Sequence, residues 1–364
     1  SRWEPGTRRK GPGRTSTDRR SVHFTPPTGG LTLNRFLTPI LFLGLVVGAC
    51  SDGDRDSSAE ESRTSLPQGA QALSLLGEPL FPPSLPEDTR IQREAELAQA
   101  LEDLQAGPGE AEALIWAGRR HAYLGDYRQA IELFSRGVEL HPTDPRFYRH
   151  RGHRFITVRE LDRAIADFQR AAALIEGQPD RVEPDGQPNA LGIPTSTLHF
   201  NIWYHYGLAH YLKGEFEEAA ETYRRCMEVS EHSDSKVATA HWWYMTLRRL
   251  GRDREASTLL EGLDLDALAE GIIESGSYLA LLRLYAGEGG PETGRQALEE
   301  GSLEGATRGY GLGNWHLYER GDTATAREIY REILSARDQW AAFGFIAAEA
   351  DLARMNLRPP PEDD

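Results

Sequence analysis

The feature that most constrains the fold of this chain is an internal repeat with a period of 34 residues. The stretch GDYRQAIELFSRGVEL, which begins at Gly125, is followed by the related stretch RELDRAIADFQRAAAL. Ala130 and Ala164 therefore lie 34 positions apart, as do Phe134 and Phe168. A unit of this length buries its apolar face only against its neighbours, so the repeat predicts a stack of similar units.

The same spacing recurs further along the chain, after Gly214, Gly251 and Gly321. In each copy an Ala follows the Gly by five residues, and a large apolar residue follows that Ala by four. These intervals place the apolar residues on one face of a helix. The Gly suits the positive φ of a turn between two helices. Arg159 replaces it in the second copy, which predicts a type I turn or a strained one.

This pattern resembles the tetratricopeptide repeat, a helix–turn–helix unit of about 34 residues. The resemblance implies an all-α fold: a right-handed α-solenoid over residues 88–355, preceded by a lipoprotein signal and a tether. The repeats are predicted near residues 111–144, 145–178, 200–233, 237–270 and 307–340, with a degenerate repeat at 275–302. The remaining predicted elements are a leading helix at 88–105, a Pro-rich loop insertion at 177–198 and a trailing helix at 339–355.

The segment that ends at Cys50, NRFLTPILFLGLVVGAC, has the order of a secretory signal: an Arg, an apolar stretch and small residues. Its last four residues resemble a bacterial lipobox, which implies acylation of Cys50 and removal of residues 1–49. The alternative is an ordinary signal peptide that ends near a Cys. Residues 1–30 exceed the usual length of a signal and are interpreted as an upstream extension.

Residues 50–87 are polar, acidic and Pro-rich, and they are predicted to form a disordered tether between the membrane and the stack. Residues 356–364 are predicted to be a disordered tail. By resemblance to enterobacterial sorting, Ser51 after the Cys favours the outer membrane. The expected location is therefore the bacterial cell envelope, with the lipid-anchored protein facing the periplasm.

The chain shows no sign of catalytic chemistry. The formal net charge of −15 argues against nucleic acid as a partner, because phosphate neutralisation requires clustered Lys and Arg. Metalloprotease, hydrolase, phosphate-loop and Cys-x-x-Cys motifs are absent from the sequence. His150 and His153 are close on a predicted helix, but no third ligand accompanies them. Cys226 takes an interior repeat position and is interpreted as a structural thiol. We therefore predict no enzyme activity, no cofactor and no metal.

Function is predicted to reside on the concave face, which the first helix of each repeat lines in tetratricopeptide domains. Aligning the copies on their Ala residues places Arg and aromatic side chains there, and both are enriched at binding hot spots. The predicted groove residues are Arg119, Tyr123, Arg149, His153, Tyr204, Tyr211, His241, Arg248, Arg249, Trp315 and Tyr318. An acidic and apolar segment of a partner protein is expected to complement them.

The lipobox, the tether and the late degenerate repeat together resemble the NlpI-like outer-membrane lipoproteins, as does the run YGLGNWHLYERGDTATAREIYREIL. The resemblance implies a homodimeric adaptor that brings peptidoglycan hydrolases and a periplasmic protease together. The alternative is a structural component of outer-membrane protein assembly or of pilus or secretion machinery. Both interpretations make the chain a scaffold for envelope proteins, held to the membrane by the lipid on Cys50.

Overall fold

The computed structural model of the chain describes residues 66–299 and 301–357. The predicted signal, Cys50, the first part of the predicted tether and the tail from residue 358 onward lie outside the described residues. In the part of the chain that is described, no helix is long and apolar enough to cross a membrane.

The described residues form a succession of helices, preceded by two short strands. The helices are α1 (Glu87–Ala106), α2 (Ala111–Tyr123), α3 (Tyr127–Leu140), α4 (Pro145–Thr157), α5 (Leu161–Ile175), α6 (Leu198–Lys213), α7 (Phe216–Val229), α8 (Ser233–Arg249), α9 (Asp253–Glu261), α10 (Leu265–Glu270), α11 (Gly276–Tyr285), α12 (Glu292–Glu299), α13 (Leu303–Glu319), α14 (Thr323–Ser335) and α15 (Phe343–Leu357). The other elements are the strands β1 (Ala72–Leu73) and β2 (Pro79–Leu80) and a 3₁₀ turn at Arg337–Gln339. The all-α fold is confirmed.

Six helix pairs correspond to the predicted repeats. They are α2–α3, α4–α5, α6–α7, α8–α9, α11–α12 and α13–α14. The fourth pair begins at Ser233, earlier than predicted, and the short helix α10 follows it before the degenerate pair. The predicted insertion separates α5 from α6. The trailing helix α15 starts at Phe343, later than predicted, because residues 337–342 form a 3₁₀ turn and a further turn before it.

Side chains near the helix ends explain where several of these helices begin. Asp144 accepts a hydrogen bond from the Arg146 backbone N–H at 3.0 Å, and Pro145 occupies the first helical position of α4. A short acceptor before the helix and a proline at its start are both favoured there, since the first N–H groups lack partners within the helix. Thr197 similarly accepts from the Phe200 N–H at the start of α6.

Within four repeats, a glycine of the first helix lies under an aromatic ring of the second. A Cβ atom added to Gly118 would lie 2.5 Å from the Phe134 ring, and one added to Gly313 would lie 2.3 Å from the Tyr330 ring. The other two pairs are Gly152 with Phe168 and Gly207 with Tyr223. Because these rings are almost fully buried, the two helices of a repeat pack closely only where the first helix carries no side chain.

The alanines that defined the repeat phase all lie in the core. They are Ala130, Ala164, Ala219, Ala256 and Ala326, and none is more than 1% exposed. Helices therefore approach most closely at the positions where the sequence spacing predicted a small side chain.

The turn between the two helices of a repeat has positive φ at every predicted glycine. The values are +88° at Gly125, +90° at Gly214, +68° at Gly251 and +65° at Gly321. Arg159 has a φ of +65° at the equivalent place, so the prediction of a strained turn in the second repeat is confirmed. Its guanidinium pairs with Glu349 of α15 at 2.8 Å, and both side chains are almost completely buried.

Residues 66–86 are ordered, so the prediction of a disordered tether over residues 50–87 is wrong for this part. Strands β1 and β2 pair antiparallel, with Ala72 opposite Leu80, and Ala72 is fully buried. The Trp340 indole donates to the Phe81 carbonyl at 2.6 Å, and the Arg128 side chain donates to the Gln71 carbonyl at 2.7 Å. Residues 66–86 are ordered because side chains near the start and near the end of the helical stack both contact this segment.

Candidate functional site

Different segments of the chain cover the two halves of the predicted groove. The C-terminal half is covered by the last helices. Tyr211, expected on an open concave face, is fully buried. Its hydroxyl lies 2.8 Å from the Tyr310 hydroxyl and donates to Asn314 of α13 at 3.3 Å. Its ring meets Trp242 edge-on, with the ring centroids 5.1 Å apart. Tyr211 is therefore part of the core, and its prediction as a groove residue is wrong.

Arg249 is also enclosed rather than exposed in the groove. It forms an ion pair with Asp351 of α15, with the two side chains only 4% and 2% exposed. It also donates to the Tyr310 hydroxyl and to the Asn314 side chain, each at 3.0 Å. Burial alone would lower the pKa of Arg249, but Asp351 and the nearby tyrosines raise it well above its usual value. This arginine joins α8 to the C-terminal helices.

Tyr204 and His241, which were also predicted to line the groove, are likewise buried in the core. The Tyr204 hydroxyl lies 3.1 Å from that of Tyr278, and burial raises its pKa well above the usual value. His241 is 1% exposed and stacks on Tyr285 at 5.8 Å. Burial lowers the pKa of His241 to about 3, so the imidazole is neutral at physiological pH. Both residues hold α11 against α6 and α8, and neither is available to a partner.

Three other predicted residues remain at the edge of the stack. Arg248 pairs with Asp253 and with Glu319, each at 2.8 Å. Trp315 is partly buried beside Arg320, whose guanidinium lies 5.6 Å from the ring centroid. Tyr318 lies beneath Arg249, at 5.2 Å. They line a cavity of only about 10 Å³, too small for a ligand group.

The C-terminal half is closed because α13 and α15 occupy the space that an open solenoid leaves to solvent. Phe343, the first residue of α15, lies 5.4 Å from His153 and 5.5 Å from His205, measured between ring centroids. Further along the same helix, Arg354 donates to the Leu212 carbonyl at 2.8 Å. The apolar trailing helix thus packs on the first helices of the second and third repeats.

The N-terminal half is covered differently, by the Pro-rich insertion between α5 and α6. Arg119 of α2 donates to the Pro184 carbonyl at 2.9 Å, and Arg120 donates to the Gly186 carbonyl at 3.0 Å. Gly186 fits closely, since an added Cβ would lie 1.9 Å from the Tyr123 hydroxyl. A bridge between Val182 and Thr197 ties the two ends of the insertion together. Tyr123 is therefore covered by the insertion.

Glu183 is the residue of the insertion that reaches deepest, at 7% exposure. Its carboxylate lies 3.1 Å from the Arg149 Nε and 3.4 Å from the His150 Nε2. Asn201 of α6 donates to it at 2.9 Å. Burial lowers the pKa of Arg149, and Glu183 opposes that effect. The insertion therefore places one carboxylate against α4 and α6, the first helices of the second and third repeats.

Three arginines meet at this place: Arg119, Arg149 and Arg154, which we call the arginine site. Arg119 donates to the Tyr123 hydroxyl at 3.1 Å and has no ion pair with any described residue. Arg154 has neither an ion pair nor a side-chain hydrogen bond within residues 66–299 and 301–357, and its guanidinium lies 5.6 Å from the Tyr127 ring. Burial, with a contribution from the other two arginines, lowers the pKa of Arg154 to about 10. Among the described residues, Arg149 is the only one of these three arginines in contact with a carboxylate, that of Glu183.

Two members of this constellation were missed from the sequence. Arg154 was not assigned to the groove, and Glu183 was seen only as part of a loop. The signal available for Arg154 was the density of arginine in α4, which also carries Arg146, Arg149 and Arg151. No sequence pattern indicated that an acidic residue of the insertion would lie over that helix.

The two histidines weighed as a metal pair have packing roles. Burial and neighbouring arginines hold the pKa values of His150 and His153 well below their usual range. His153 lies 4.4 Å from the His205 ring, measured between centroids. Among the described residues, no group of three or more His, Cys, Asp or Glu side chains is arranged to hold a metal ion.

Cys226 is fully buried, and its Sγ lies 3.2 Å from the Thr239 hydroxyl. Burial raises the pKa of this thiol to about 12, so the reactive thiolate is scarcely populated at neutral pH. Position and pKa both agree with a structural thiol.

Comparison with known proteins identifies two repeats directly. Residues 111–154 and residues 200–233 each match a family model described as the tetratricopeptide repeat. Over 125 residues, 34% of this chain, the sequence is 26% identical to the small glutamine-rich tetratricopeptide repeat-containing protein 2 of Mycosarcoma maydis. The chain spans about 30% of the length of that relative.

Solved structures of repeat proteins show more distant similarity. MamA aligns with 48% of this chain and 87% of its own, at 20% sequence identity and a TM-score of 0.37. YrrB, described as a TPR protein with an unusual peptide-binding site, aligns with 65% of this chain and 91% of its own, at 14% identity and a TM-score of 0.36. 

The matched segments coincide with α2 to α4 and with α6 to α7, so the chain contains tetratricopeptide repeats. Repeat stacks of this kind expose extended surfaces and act as scaffolds that bind other proteins or peptides. The fold alone does not identify a partner. The partner must be inferred from the chemistry of a particular site.

Proposed function

We propose that this protein is a non-catalytic, lipid-anchored scaffold of the bacterial envelope that binds an acidic segment of another protein at the arginine site. The observation that carries the proposal is the charge imbalance there. Of Arg119, Arg149 and Arg154, only Arg149 is paired with a carboxylate among the described residues, that of Glu183, although the net charge of the chain is −15. A partly buried cation without a counterion is costly, and an entering carboxylate relieves that cost.

The insertion supports the proposal because it already places a carboxylate on Arg149. A partner carboxylate would take the place of Glu183 and reach Arg154 as well. Binding would therefore proceed by displacement of the insertion. Its contacts with α2 are hydrogen bonds from Arg119 and Arg120 to backbone carbonyls. Its contacts with α4 are those of the Glu183 carboxylate. The helices of the stack need not separate.

Peptide binding tests the site. The probe is an extended peptide of Glu and Leu residues, titrated by calorimetry against the purified protein, with the corresponding Lys and Leu peptide for comparison. Replacing Arg154→Gln removes a charged hydrogen bond of about 1.5–3 kcal/mol, so the Glu–Leu peptide should bind tenfold more weakly or worse. Glu183→Gln should have the opposite effect, since an intramolecular competitor acts at roughly millimolar effective concentration.

The matched control is Asp185→Asn, which makes a similar charge change on the same insertion. Asp185 is exposed, and its side chain accepts only from the Gln187 N–H. This variant should bind the Glu–Leu peptide like the parent protein. Equal affinity of the parent, Arg154→Gln and Glu183→Gln proteins, all shown to be folded by circular dichroism, would remove the arginine site as the binding site.

The membrane part of the proposal rests on Val47-Gly48-Ala49-Cys50. Each buried methylene of an acyl chain contributes about 0.8 kcal/mol, so several chains on Cys50 anchor the protein stably. Cys50→Ser should move the protein from the detergent phase to the aqueous phase, or leave it unprocessed, and should abolish labelling with a fatty-acid probe. Unchanged partitioning and labelling would show that Cys50 is not the anchor.

The partners proposed for the anchored protein are other envelope proteins, with peptidoglycan hydrolases or a periplasmic protease as the first candidates. The resemblance to the NlpI-like lipoproteins supports them, as it supports the outer membrane and a homodimer. Crosslinking in envelope fractions, with and without Arg154→Gln, tests this: a partner lost in the variant is one that uses the arginine site.

A further inference from the structure

A second surface lies on the opposite side of α6, away from the arginine site. It is a groove between α5 and α7 with α6 as its floor, and its cavity measures about 830 Å³. We call it the outer groove. Its walls include Gln169 and Ala172 of α5 and Thr222 and Arg225 of α7. Its volume suits several side chains of a bound segment.

The floor of the outer groove is a row of aromatic rings. His199, Trp203, Tyr206 and His210 follow one another at intervals of three or four residues, so they share one face of α6. The centroids of Trp203 and Tyr206 are 6.2 Å apart, and those of Tyr206 and His210 are 4.7 Å apart. The other face of the same helix carries Tyr204 and Tyr211, which are buried in the core. In the first row, His199, Trp203 and Tyr206 are partly exposed to a partner, whereas His210 is buried and pairs with Glu215.

One ring of this aromatic row already contacts a cation, the guanidinium of Arg225. The Arg225 guanidinium lies 5.4 Å from the Trp203 ring centroid, within the range in which an aromatic face attracts a positive charge. Tyr206 has no such cation among the described residues, although it is similarly half-buried. The floor therefore offers a further aromatic face of the same kind.

The rim of the outer groove is negatively charged. Glu176 and Glu218 are exposed and have no ion pair with any described residue. Glu217 lies near Arg252 and helps to raise the pKa of that arginine. Glu221, by contrast, is already paired with Arg224 and Arg225. Among the described residues, Glu176 and Glu218 therefore offer carboxylates that neither an ion pair nor a nearby arginine engages.

We infer that the outer groove binds a basic segment of a second partner protein, one that carries Arg or Lys beside apolar residues. The cations would lie over Tyr206 and pair with Glu176 and Glu218, and the apolar side chains would pack on Trp203. The charge preference is opposite to that of the arginine site. The inference does not depend on that site, and it makes the protein an adaptor with two chemically distinct faces.

The test uses the mature protein and a peptide of alternating Arg and Leu, labelled for fluorescence anisotropy. Glu176→Gln combined with Glu218→Gln should weaken binding tenfold or more, and so should Trp203→Leu, which keeps an apolar side chain but removes the ring. Binding should also decrease with added salt. Arg154→Gln, in the arginine site, should leave the affinity unchanged.

The matched control is Glu270→Gln combined with Glu328→Gln, which makes the same charge change at two exposed residues outside the groove. If it weakens binding as much as the groove pair does, the peptide responds to net charge only and the inference fails. Undiminished binding by both groove variants also overturns it. If Trp203→Leu fails to fold, the variant with Glu176→Gln and Glu218→Gln tests the inference by itself. Both side chains are exposed, so their replacement should not disturb the core.

Discussion

The closure of the concave face by α15 involves two buried ion pairs, and breaking the pair of Arg249 with Asp351 is the sharpest test of the fold. Asp351 accepts hydrogen bonds from Arg249 at 2.7 Å, from the Tyr310 hydroxyl at 2.9 Å and from Arg354 at 2.5 Å. The side chains of Asp351 and Arg249 are 2% and 4% exposed. Asp351→Asn keeps the shape of the side chain but removes its charge. It leaves the Arg249 guanidinium buried without a counterion.

The expected cost follows from this burial. Removing one partner of a buried ion pair destabilises a protein by about 3–5 kcal/mol, because the remaining charge is neither solvated nor compensated. Arg249→Met should cost less than Asp351→Asn, since Asp351 keeps Arg354, whose side chain is 28% exposed and tolerates water. In the double variant no buried charge is left unpaired. Its loss of stability should therefore be smaller than the sum of the two single losses by about 2 kcal/mol or more, a coupling within the range seen for contacting residues.

The assay is urea unfolding followed by circular dichroism, with the m-value checked for each variant. Arg252→Met is the control, because Arg252 pairs with Glu255 on the surface, where the side chains are 43% and 56% exposed. An exposed pair contributes about 1 kcal/mol at most. If Asp351→Asn costs no more than Arg252→Met, then α15 does not close the concave face, and Tyr211 and Arg249 return as candidates for partner binding.

Three further expectations concern the stack. Arg159→Gly should relieve a backbone strain of about 1–3 kcal/mol but leave Glu349 buried without its partner, so urea unfolding should show a net loss of stability. Ala164→Phe should lower stability by about 1–3 kcal/mol through overpacking, and a neutral thermal melt would contradict the repeat phase. Stability should also fall as the pH drops from about 6.5 toward 3, because burial depresses the pKa of His241 in the folded state and the unfolded chain binds the proton first. His241→Phe should reduce that slope by up to about 1.4 kcal/mol per pH unit, measured by urea unfolding at several pH values.

Much of the fold was predictable because each repeat imposes its own spacing. Phe134 lies under the first helix of its repeat because Gly118 leaves room there, and both residues recur 34 positions later. Contacts within a repeat, or between neighbouring repeats, depend on residues close in sequence. The spacing of a few Gly, Ala and aromatic residues was therefore sufficient to locate the helices and turns.

The candidate site was not predictable by the same means, because the residues that define it are far apart in the chain. Tyr211 has the spacing of a groove residue, yet Tyr310 and Asn314 cover it from about a hundred positions away. Glu183 reaches Arg149 only because the insertion folds back over α4. Repeat phase gives the direction of a side chain, but it does not tell whether a distant segment occupies the space in front of it.

The two coverings of the concave face differ in what it takes to remove them. Opening the C-terminal half separates the ion pairs of Arg159 with Glu349 and of Arg249 with Asp351, and it exposes the Tyr211 ring to water. Opening the N-terminal half requires only that an exposed loop move, with Glu183 its main buried side chain. Local opening favours the segment with the fewest buried contacts, so the arginine site is the part of the concave face that we expect to open while the stack stays folded. Hydrogen exchange checks this order: amides of the insertion should exchange well before those of α15, and equal protection of the two segments would contradict it.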